Sequence, residues 1–210
     1  MGHNDAVVVH IHTMRSSHSK IAHTGTHLQH SDGELVLRAL NGDRWAEESL
    51  YRAHVDAIYT YCLRMLRAKS DAEDAVQETF VQAFCDLQTL RDPEKFKPWL
   101  MRIAFHRMQR IFRKRKYRRI FFFSNRRETP LEEQAATDAT QEQRTELSLL
   151  DGAFMQLSAE ERACWILRYF ENYQIREIVK VTGLSRNTVK RRIASAKQTV
   201  DLHFGGKFDE

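Results

Sequence analysis

The sequence is poor in the residues that turn-rich sheet proteins and disulfide-stapled proteins need. It has three prolines and eight glycines among 210 residues, with few strand-like runs, which predicts an all-α fold. Cys62, Cys85 and Cys164 are far apart among apolar residues, so we expect buried, reduced thiols and neither a disulfide framework nor a metal site. No apolar run approaches the ~18 residues of a membrane span, and the start lacks a compact signal-peptide core. We therefore expect a soluble, cytoplasmic protein without membrane insertion.

The sequence also lacks the motifs of common enzyme classes. It contains no glycine-rich phosphate loop, no nucleophile motif and no metal-ligand pair at helical spacing with a carboxylate after the first 30 residues. Basic charge is what it has in excess, with 33 lysines and arginines against 28 acids, formally +5. That excess suits a polyanionic partner without proving one. We expect no enzymatic activity, no cofactor and no bound metal.

Residues 1–30 are a polar arm rich in histidine, serine and threonine, and seven of the ten histidines lie there. The run VVVHIH within it is compatible with a short strand or a loosely bound metal. No acid or cysteine completes a convincing ligand set, however. We expect a disordered extension, or a start site placed upstream of Met14.

Hydrophobic periodicity predicts two small helical domains after the arm. Residues 31–119 indicate four helices: a short one around Leu35 to Leu40, then Asp43 to Leu66, then DAEDAVQETFVQAFCDL capped by Asp71, and last Glu94 to Arg119. From Ile120 the pattern fails, and residues 120–145 become polar and increasingly acidic, as expected of a flexible acidic linker. Residues 146–204 are the second domain, in which Ser158 and Glu161 make a capping box, and residues 205–210 are a tail.

The segment from Tyr173 to Phe204 has the pattern of a helix-turn-helix. Gly183 can adopt the left-handed conformation that ends a helix, and Ser185 can cap the helix that follows. That second helix carries the side-chain types that reach phosphates and base edges in a major groove. They are Arg186, Asn187, Lys190, Arg191, Arg192 and Lys197. The alternative is a basic, solvated helix in an ordinary bundle.

The fourth helix of the first domain is predicted to carry a cationic stripe. Nine lysines and arginines lie from Arg102 to Arg119 without an intervening acid. Such charges repel one another unless phosphates or counterions neutralise them, so binding explains them better than solvation alone. Trp99, Phe105 and Tyr117 lie close to the stripe, where an aromatic ring either stacks on an unpaired base or belongs to the core.

The third helix has the opposite charge. Its acidic and amide residues are Asp71, Glu73, Asp74, Gln77 and Glu78. A face of this kind serves either solubility alone or the docking of a basic protein partner. Composition does not decide between these two roles.

Together these segments resemble one family, the bacterial sigma factors of the extracytoplasmic-function type, which keep only regions two and four. The core-binding motif of that family is matched by DAEDAVQETFVQAF. The resemblance to region 2.1 lies in GDRWAEESLYRAHVDAIYTYCLRML, and that to regions 2.3 and 2.4 in FKPWLMRIAFHRMQRIFRKRK. The resemblance to region four lies in LSAEERACWILRYFENYQIREIVKVTGLSRNTVKRRIASAKQTV. The resemblance extends from about Glu34 to Phe204, and all of its motifs in the right order, separated by a linker, are highly specific.

The resemblance implies a role for each surface, with RNA polymerase core, promoter DNA and an anti-sigma factor as partners. The residues implied to dock on the clamp helices of the largest polymerase subunit are Asp74, Gln77, Glu78 and Thr79. Those implied to melt and read the minus-ten element as a single strand are Trp99, Arg102, His106, Arg110, Arg113 and Lys114, and the preceding loop, Gln88 to Lys95, would hold a flipped base. Those implied to read the minus-thirty-five element as duplex are Ser185, Arg186, Asn187, Thr188, Lys190 and Arg191. The linker would thread toward the active-site and RNA-exit channels.

A few positions depart from the family pattern. Residues 104–106 read Ala-Phe-His where the family continues differently, and Arg110 replaces a customary acid, which affects the expected minus-ten base preference. Val179 and Thr182 replace a customary alanine and leucine in the helix-turn-helix. The alternative to a sigma factor is a two-domain helix-turn-helix regulator with a helical sensing or dimerising module. That alternative leaves the acidic third helix and the basic fourth helix without a joint purpose.

Overall fold

The computed structural model describes residues 30–122, 152–154 and 156–204, and every regular element within these ranges is helical. The prediction of an all-α fold is confirmed. The chain divides into two compact units, Met1–Arg107 and Met108–Glu210, which are described separately below. The histidine-rich arm apart from His30, the linker beyond Phe122 and the tail at 205–210 lie outside the described residues.

The first half of the described chain contains the four predicted helices. They are α1 (Asp32–Leu40), α2 (Arg44–Leu66), α3 (Lys69–Cys85) and α4 (Phe96–Phe122), with 3-10 turns at Leu87–Thr89 and Pro93–Lys95 between the last two. α4 crosses the division between the two units. It also continues beyond the predicted end at Arg119, because no glycine or proline interrupts the chain before Pro130.

The starts of these helices follow from their capping residues, with one exception to the prediction. The Asp43 carboxylate accepts hydrogen bonds from the backbone N–H groups of Trp45 (3.0 Å) and Ala46 (3.3 Å) and so caps α2. Asp71, in contrast, is not the cap of α3. The helix starts earlier, with extended Ala68 as the N-cap residue, and Asp71 lies in the first turn, where its charge complements the helix dipole.

The core of the first unit is made by α1, α2, α3 and the start of α4. Phe80 is completely buried, and its ring meets that of Tyr51 edge-on at 4.7 Å between centroids. From α4 the buried side chains within this unit follow each other at helical spacing: Phe96, Leu100, Met101, Ala104 and Phe105. Because these residues occupy one side of α4, its other side is left to solvent.

The described residues from 152 onwards, which lie in the second unit, contain the predicted helix-turn-helix and the helix before it. The elements are α5 (Ala159–Tyr169), α6 (Ile175–Thr182) and α7 (Arg186–Phe204). The capping box between Ser158 and Glu161 is present, as predicted. Trp165 is buried among aromatic rings, with centroids at 5.3 Å from Phe154 and 5.2 Å from Tyr169. This cluster supports α5, against which the other two helices pack.

The turn between α6 and α7 has the predicted chemistry. Gly183 has φ 71°, in the left-handed region, and the Ser185 hydroxyl accepts a hydrogen bond from the Thr188 N–H at 3.2 Å. Thr182, the replacement for a customary leucine, is buried and stabilises the turn differently. Its hydroxyl donates to the Ile178 carbonyl (2.7 Å) and accepts from the Leu184 N–H (3.2 Å).

Two of the three cysteines are buried as predicted. They are Cys62 and Cys164, whereas Cys85 is only half-buried. Burial raises the pKa of the Cys62 and Cys164 thiols to about 12 in each case, so both thiols stay protonated near neutral pH.

Candidate functional site

One face of α4 displays the residues predicted to meet the minus-ten element. Trp99, Arg102, His106, Arg110 and Arg113 follow one another at intervals of three and four residues, which puts them on the same side of the helix. Trp99 is half-buried and the other four are exposed, as is the neighbouring Lys114. All six predicted residues therefore share one face of α4, which we call the basic stripe.

The aromatic residues near the basic stripe divide between core and surface. Phe105 is buried, so it belongs to the core and cannot stack on a base. Tyr117 is 64% exposed. Trp99 combines both roles, since one side of its ring lies against Phe96 at 6.0 Å between centroids while the side chain stays half exposed. Only Trp99 and Tyr117 among these three are thus accessible for stacking.

Arg107 does not project into solvent with the other cations of the predicted cationic stripe. It is half-buried and forms an ion pair with Glu78 of α3. The reason is its position on α4: residue 107 lies off the outward face that carries Arg102, His106 and Arg110, on the side of the helix that approaches α3. The pair joins the acidic helix to the helix that bears the basic stripe.

Of the four residues of α3 that are predicted to dock on polymerase, three have accessible side chains. Asp74 and Glu78 are exposed, and Gln77 is half-buried. Thr79 does not lie on this accessible face, contrary to the expectation. It is 0% exposed, and its hydroxyl donates to the Ala75 carbonyl at 2.7 Å, so its side chain packs inside the unit.

The recognition helix α7 presents four polar side chains to solvent. Arg186, Asn187, Lys190 and Arg191 are all exposed, while Val189 between them is completely buried. The two further predicted residues act in the cap. Ser185 and Thr188 have their hydroxyl oxygens 2.9 Å apart, at the start of the helix. The geometry fits a helix that is anchored by its apolar side and enters a groove with its N-terminal turns.

Arg192 is on the opposite side of α7 from these exposed residues. Its guanidinium Nε donates to Glu160 at 3.0 Å, and a terminal nitrogen lies 3.6 Å from Glu161. Ser195 also donates to Glu161, at 3.0 Å. Burial raises the pKa of the Glu161 carboxyl, but the hydrogen bonds from Ser158 and Ser195 and the charge of Arg192 outweigh it and hold the pKa below the usual 4.5. This network, which we call the α5–α7 clasp, fixes the orientation of the recognition helix.

Two arginines that were not predicted from the sequence as site residues lie beside the helix-turn-helix. Arg168, at the end of α5, and Arg176, in the first turn of α6, line a pocket together with Gln174, Ile175 and Arg186. Three guanidinium groups are thereby gathered beside the N-terminus of a helix, where anions bind favourably. The usable sequence signal was the capping box of Gln174 and Glu177, which marks that helix start.

Among the residues that the structure describes, no group of histidines, cysteines or acids is arranged to hold a metal ion. Within the same residues, none of the helices combines the length and the apolarity that crossing a membrane requires.

Comparison with known proteins identifies two regions of the chain. Residues 50–118 match the family model for sigma-70 region 2, and residues 147–200 match that for sigma-70 region 4. The chain is 28% identical over 170 residues to the ECF RNA polymerase sigma factor SigM of Mycobacterium tuberculosis, covering 80% of this chain and 82% of the relative. It is 29% identical over 149 residues to the RNA polymerase sigma factor SigV of Bacillus subtilis, covering 68% and 81%.

The fold has a counterpart among solved structures. CnrH, determined in complex with the cytosolic domain of CnrY, superposes with a TM-score of 0.62 at 24% identity, over 85% of this chain and 99% of that one. Two sigma-70 regions in this order disfavour the two-domain regulator that the sequence left as an alternative. The chain belongs to the ECF sigma factors, which direct promoter-specific transcription initiation by RNA polymerase.

Proposed function

We propose that the chain divides its sigma-factor function among three surfaces: the acidic face of α3 for core polymerase, the basic stripe for the minus-ten element and the exposed side of α7 for the minus-thirty-five element. The observation that carries this proposal is the separation of charge between neighbouring helices. Exposed acids on α3 suit a basic protein partner, while the basic stripe on α4 suits nucleic acid.

The docking residues are Asp74, Gln77 and Glu78, and their partner is the pair of clamp helices in the largest polymerase subunit. Asp74→Lys should weaken binding to core polymerase, because it places a like charge against a basic surface. Asp74→Asn is the matched control and should cost less, since it removes attraction without adding repulsion. The measurement is core affinity alongside duplex minus-thirty-five affinity. A loss of both affinities would indicate misfolding and would contradict the assignment.

The basic stripe is proposed to hold the minus-ten element as a single strand. Arg102, Arg110, Arg113 and Lys114 neutralise phosphates, while Trp99 and His106 offer ring faces to unpaired bases. Trp99→Ala in the reconstituted holoenzyme should reduce promoter opening and binding to a single-stranded minus-ten oligonucleotide, by about 1–3 kcal/mol if the ring stacks on a base. Trp99→Phe keeps an aromatic face and is the control. Equal defects in both variants would count against stacking.

On the upstream element, base reading and phosphate contact are proposed to belong to different residues. Arg186, Asn187, Lys190 and Arg191 face the groove, with Ser185 and Thr188 at the helix start, whereas Arg168 and Arg176 lie beside the N-terminus of α6 and suit the DNA backbone. Lys190→Ala should relax preference at one base position if the side chain reads a base, at about 1–3 kcal/mol. Arg168→Ala should instead weaken all sequences alike and lower the salt dependence. A uniform loss in Lys190→Ala together with a relaxed base preference in Arg168→Ala would refute this division of roles.

The remaining proposals concern an inhibiting partner protein and the absence of catalytic activity. An anti-sigma factor is proposed to hold the free chain inactive in the cytoplasm by covering the same surfaces, and the chain itself is proposed to perform no bond chemistry. Runoff transcription with purified core polymerase tests the whole assignment: the chain should support initiation from a subset of promoters. Failure to bind core and to start transcription from any promoter would overturn it.

A further inference from the structure

The loop at residues 88–95 joins the acidic helix α3 to the basic helix α4. Its two 3-10 turns are closed by local backbone bonds, from Leu90 N–H to the Leu87 carbonyl (3.0 Å) and from Lys95 N–H to the Asp92 carbonyl (2.9 Å). Most of its side chains are exposed. A loop of this kind needs an external support if it is to hold one conformation.

The start of α1 supplies such a support through Ser31 and Glu94. The Ser31 hydroxyl accepts a hydrogen bond from the Glu34 N–H at 3.1 Å and thereby caps α1. The same hydroxyl donates to Glu94 Oε1 at 3.0 Å, across 63 positions of sequence. α1 packs against both 3-10 turns. One cap residue thus joins the start of α1 to the loop.

Gly33 makes room for this contact. A Cβ atom at that position would lie 2.1 Å from Glu94 Oε1 and 2.6 Å from its carboxyl carbon, distances that displace the Glu94 side chain. Gly33 itself is buried. The absence of a side chain at residue 33 is therefore what lets the carboxylate of Glu94 approach α1.

A second tie connects the same turn of α1 to the base of α4. The Asp32 carboxylate lies 2.9 Å from His54 Nε2 of α2, and His54 is only 8% exposed. The His54 ring packs 5.4 Å from that of Phe96, which is fully buried and is the first residue of α4. The start of α1 is thereby held against both α2 and the end of the loop.

We propose that α1 is a brace for the loop at residues 88–95, and that Ser31, Gly33 and Glu94 are positioning residues for recognition of a minus-ten base by that loop. The inference rests on the proposed function of the region-two surfaces. Glu94 acts through the conformation of the loop and not by touching DNA, because its carboxylate is engaged by α1 and a carboxylate repels phosphates.

The test compares two substitutions at Glu94 in the reconstituted holoenzyme. Glu94→Ala removes the acceptor for Ser31 together with the negative charge. Glu94→Gln removes the charge alike but keeps an oxygen that can accept from Ser31. Gly33→Ala is a third, independent variant that displaces the Glu94 side chain without changing its chemistry. Each holoenzyme is titrated with single-stranded minus-ten oligonucleotides that carry each base in turn, and with duplex minus-thirty-five DNA.

The expected result is a loss of discrimination at one minus-ten position by about 2- to 10-fold in Glu94→Ala and Gly33→Ala, the size expected for one hydrogen bond. Glu94→Gln should discriminate like the unaltered chain. Core affinity and duplex affinity should be unchanged in all three variants. Equal behaviour of the alanine and glutamine variants of Glu94, or unchanged discrimination in both Glu94→Ala and Gly33→Ala, would overturn the brace.

The same titration separates this inference from the proposed function on which it rests. If the unaltered holoenzyme shows no base preference in any single-stranded minus-ten oligonucleotide, the proposed role of the basic stripe and its loop fails, and the brace fails with it. If the unaltered holoenzyme discriminates and the variants do so equally well, only the brace is wrong. Should Gly33→Ala lose core and duplex binding as well, the two Glu94 variants still decide the question, since Glu94 is exposed.

Discussion

Lys190 and Arg192 are two positions apart on the recognition helix, yet the structure gives them opposite roles. Lys190 is exposed on the side that faces solvent, whereas Arg192 pairs with Glu160 and Glu161 in the α5–α7 clasp. We therefore predict that Arg192→Ala destabilises the second unit without changing its base preference on DNA. Lys190→Ala should relax that preference and leave the stability of the unit unchanged.

The size of the expected loss of stability in Arg192→Ala follows from how exposed the side chains of the α5–α7 clasp are. The side chains are 31% exposed for Arg192, 35% for Glu160 and 16% for Glu161. Fully exposed ion pairs contribute about 0.2–1 kcal/mol and hydrogen bonds to charged groups about 1.5–3 kcal/mol. Because the clasp lies between these cases and solvent screens part of it, we expect Arg192→Ala to lower the free energy of local unfolding by about 1–2 kcal/mol.

Hydrogen exchange of the full chain measures that loss directly. Amides of α5 and α7 should exchange faster by a factor of about 5–30 in Arg192→Ala, the equivalent of 1–2 kcal/mol, while α2 and α3 keep their rates. In parallel, the preference at one minus-thirty-five base position should stay the same for Arg192→Ala and be relaxed in Lys190→Ala, at about 1–3 kcal/mol. A relaxed base preference in Arg192→Ala with unchanged exchange would refute the reasoning.

Three further predictions concern Glu161, the three cysteines and Thr182. Because the folded pKa of Glu161 is lowered, its contribution to stability is present above about pH 4.5 and is lost as pH falls through the folded pKa; Glu161→Gln should flatten acid unfolding of α5 and α7 in that range. In the folded chain a thiol reagent should modify half-buried Cys85 before Cys62 and Cys164, and equal rates for all three would contradict their burial. Thr182→Val should destabilise the second unit by about 1–3 kcal/mol in thermal unfolding, since it leaves the Leu184 N–H without its acceptor, and Thr182→Ser should not.

The positions of the helices could be predicted because local chemistry specifies them. Ser158 with Glu161, Gly183 and Ser185 act where the sequence predicts, since a cap bonds to backbone only a few residues away. Asp71 is the instructive exception. Its type and place favour a cap, but extended Ala68 allows the helix to begin one turn earlier, and Asp71 then lies in the first turn, where its charge is favourable.

The candidate site was predictable in part. The basic stripe follows from helical spacing alone, because Arg102, His106, Arg110 and Arg113 share a face whenever the segment is a helix. Thr79 belongs to the same motif as Asp74 and Glu78, but spacing does not tell how far the apolar side of α3 extends around the helix. Only packing against the rest of the unit showed that residue 79 lies inside it.

The sequence by itself determined that this protein is all-helical, that its acidic and basic residues fall on different helices and that a capped helix-turn-helix ends the described chain. Hydrophobic periodicity, helix caps and the sequence order of charged residues depend on residues a few positions apart, so they can be recognised without knowledge of tertiary contacts. The tertiary structure alone decided which charges are committed to other parts of the protein: Arg107 to Glu78, Arg192 to the α5–α7 clasp, and Glu94 to Ser31. Such pairs join residues far apart in sequence, and their partners are defined only when the helices pack.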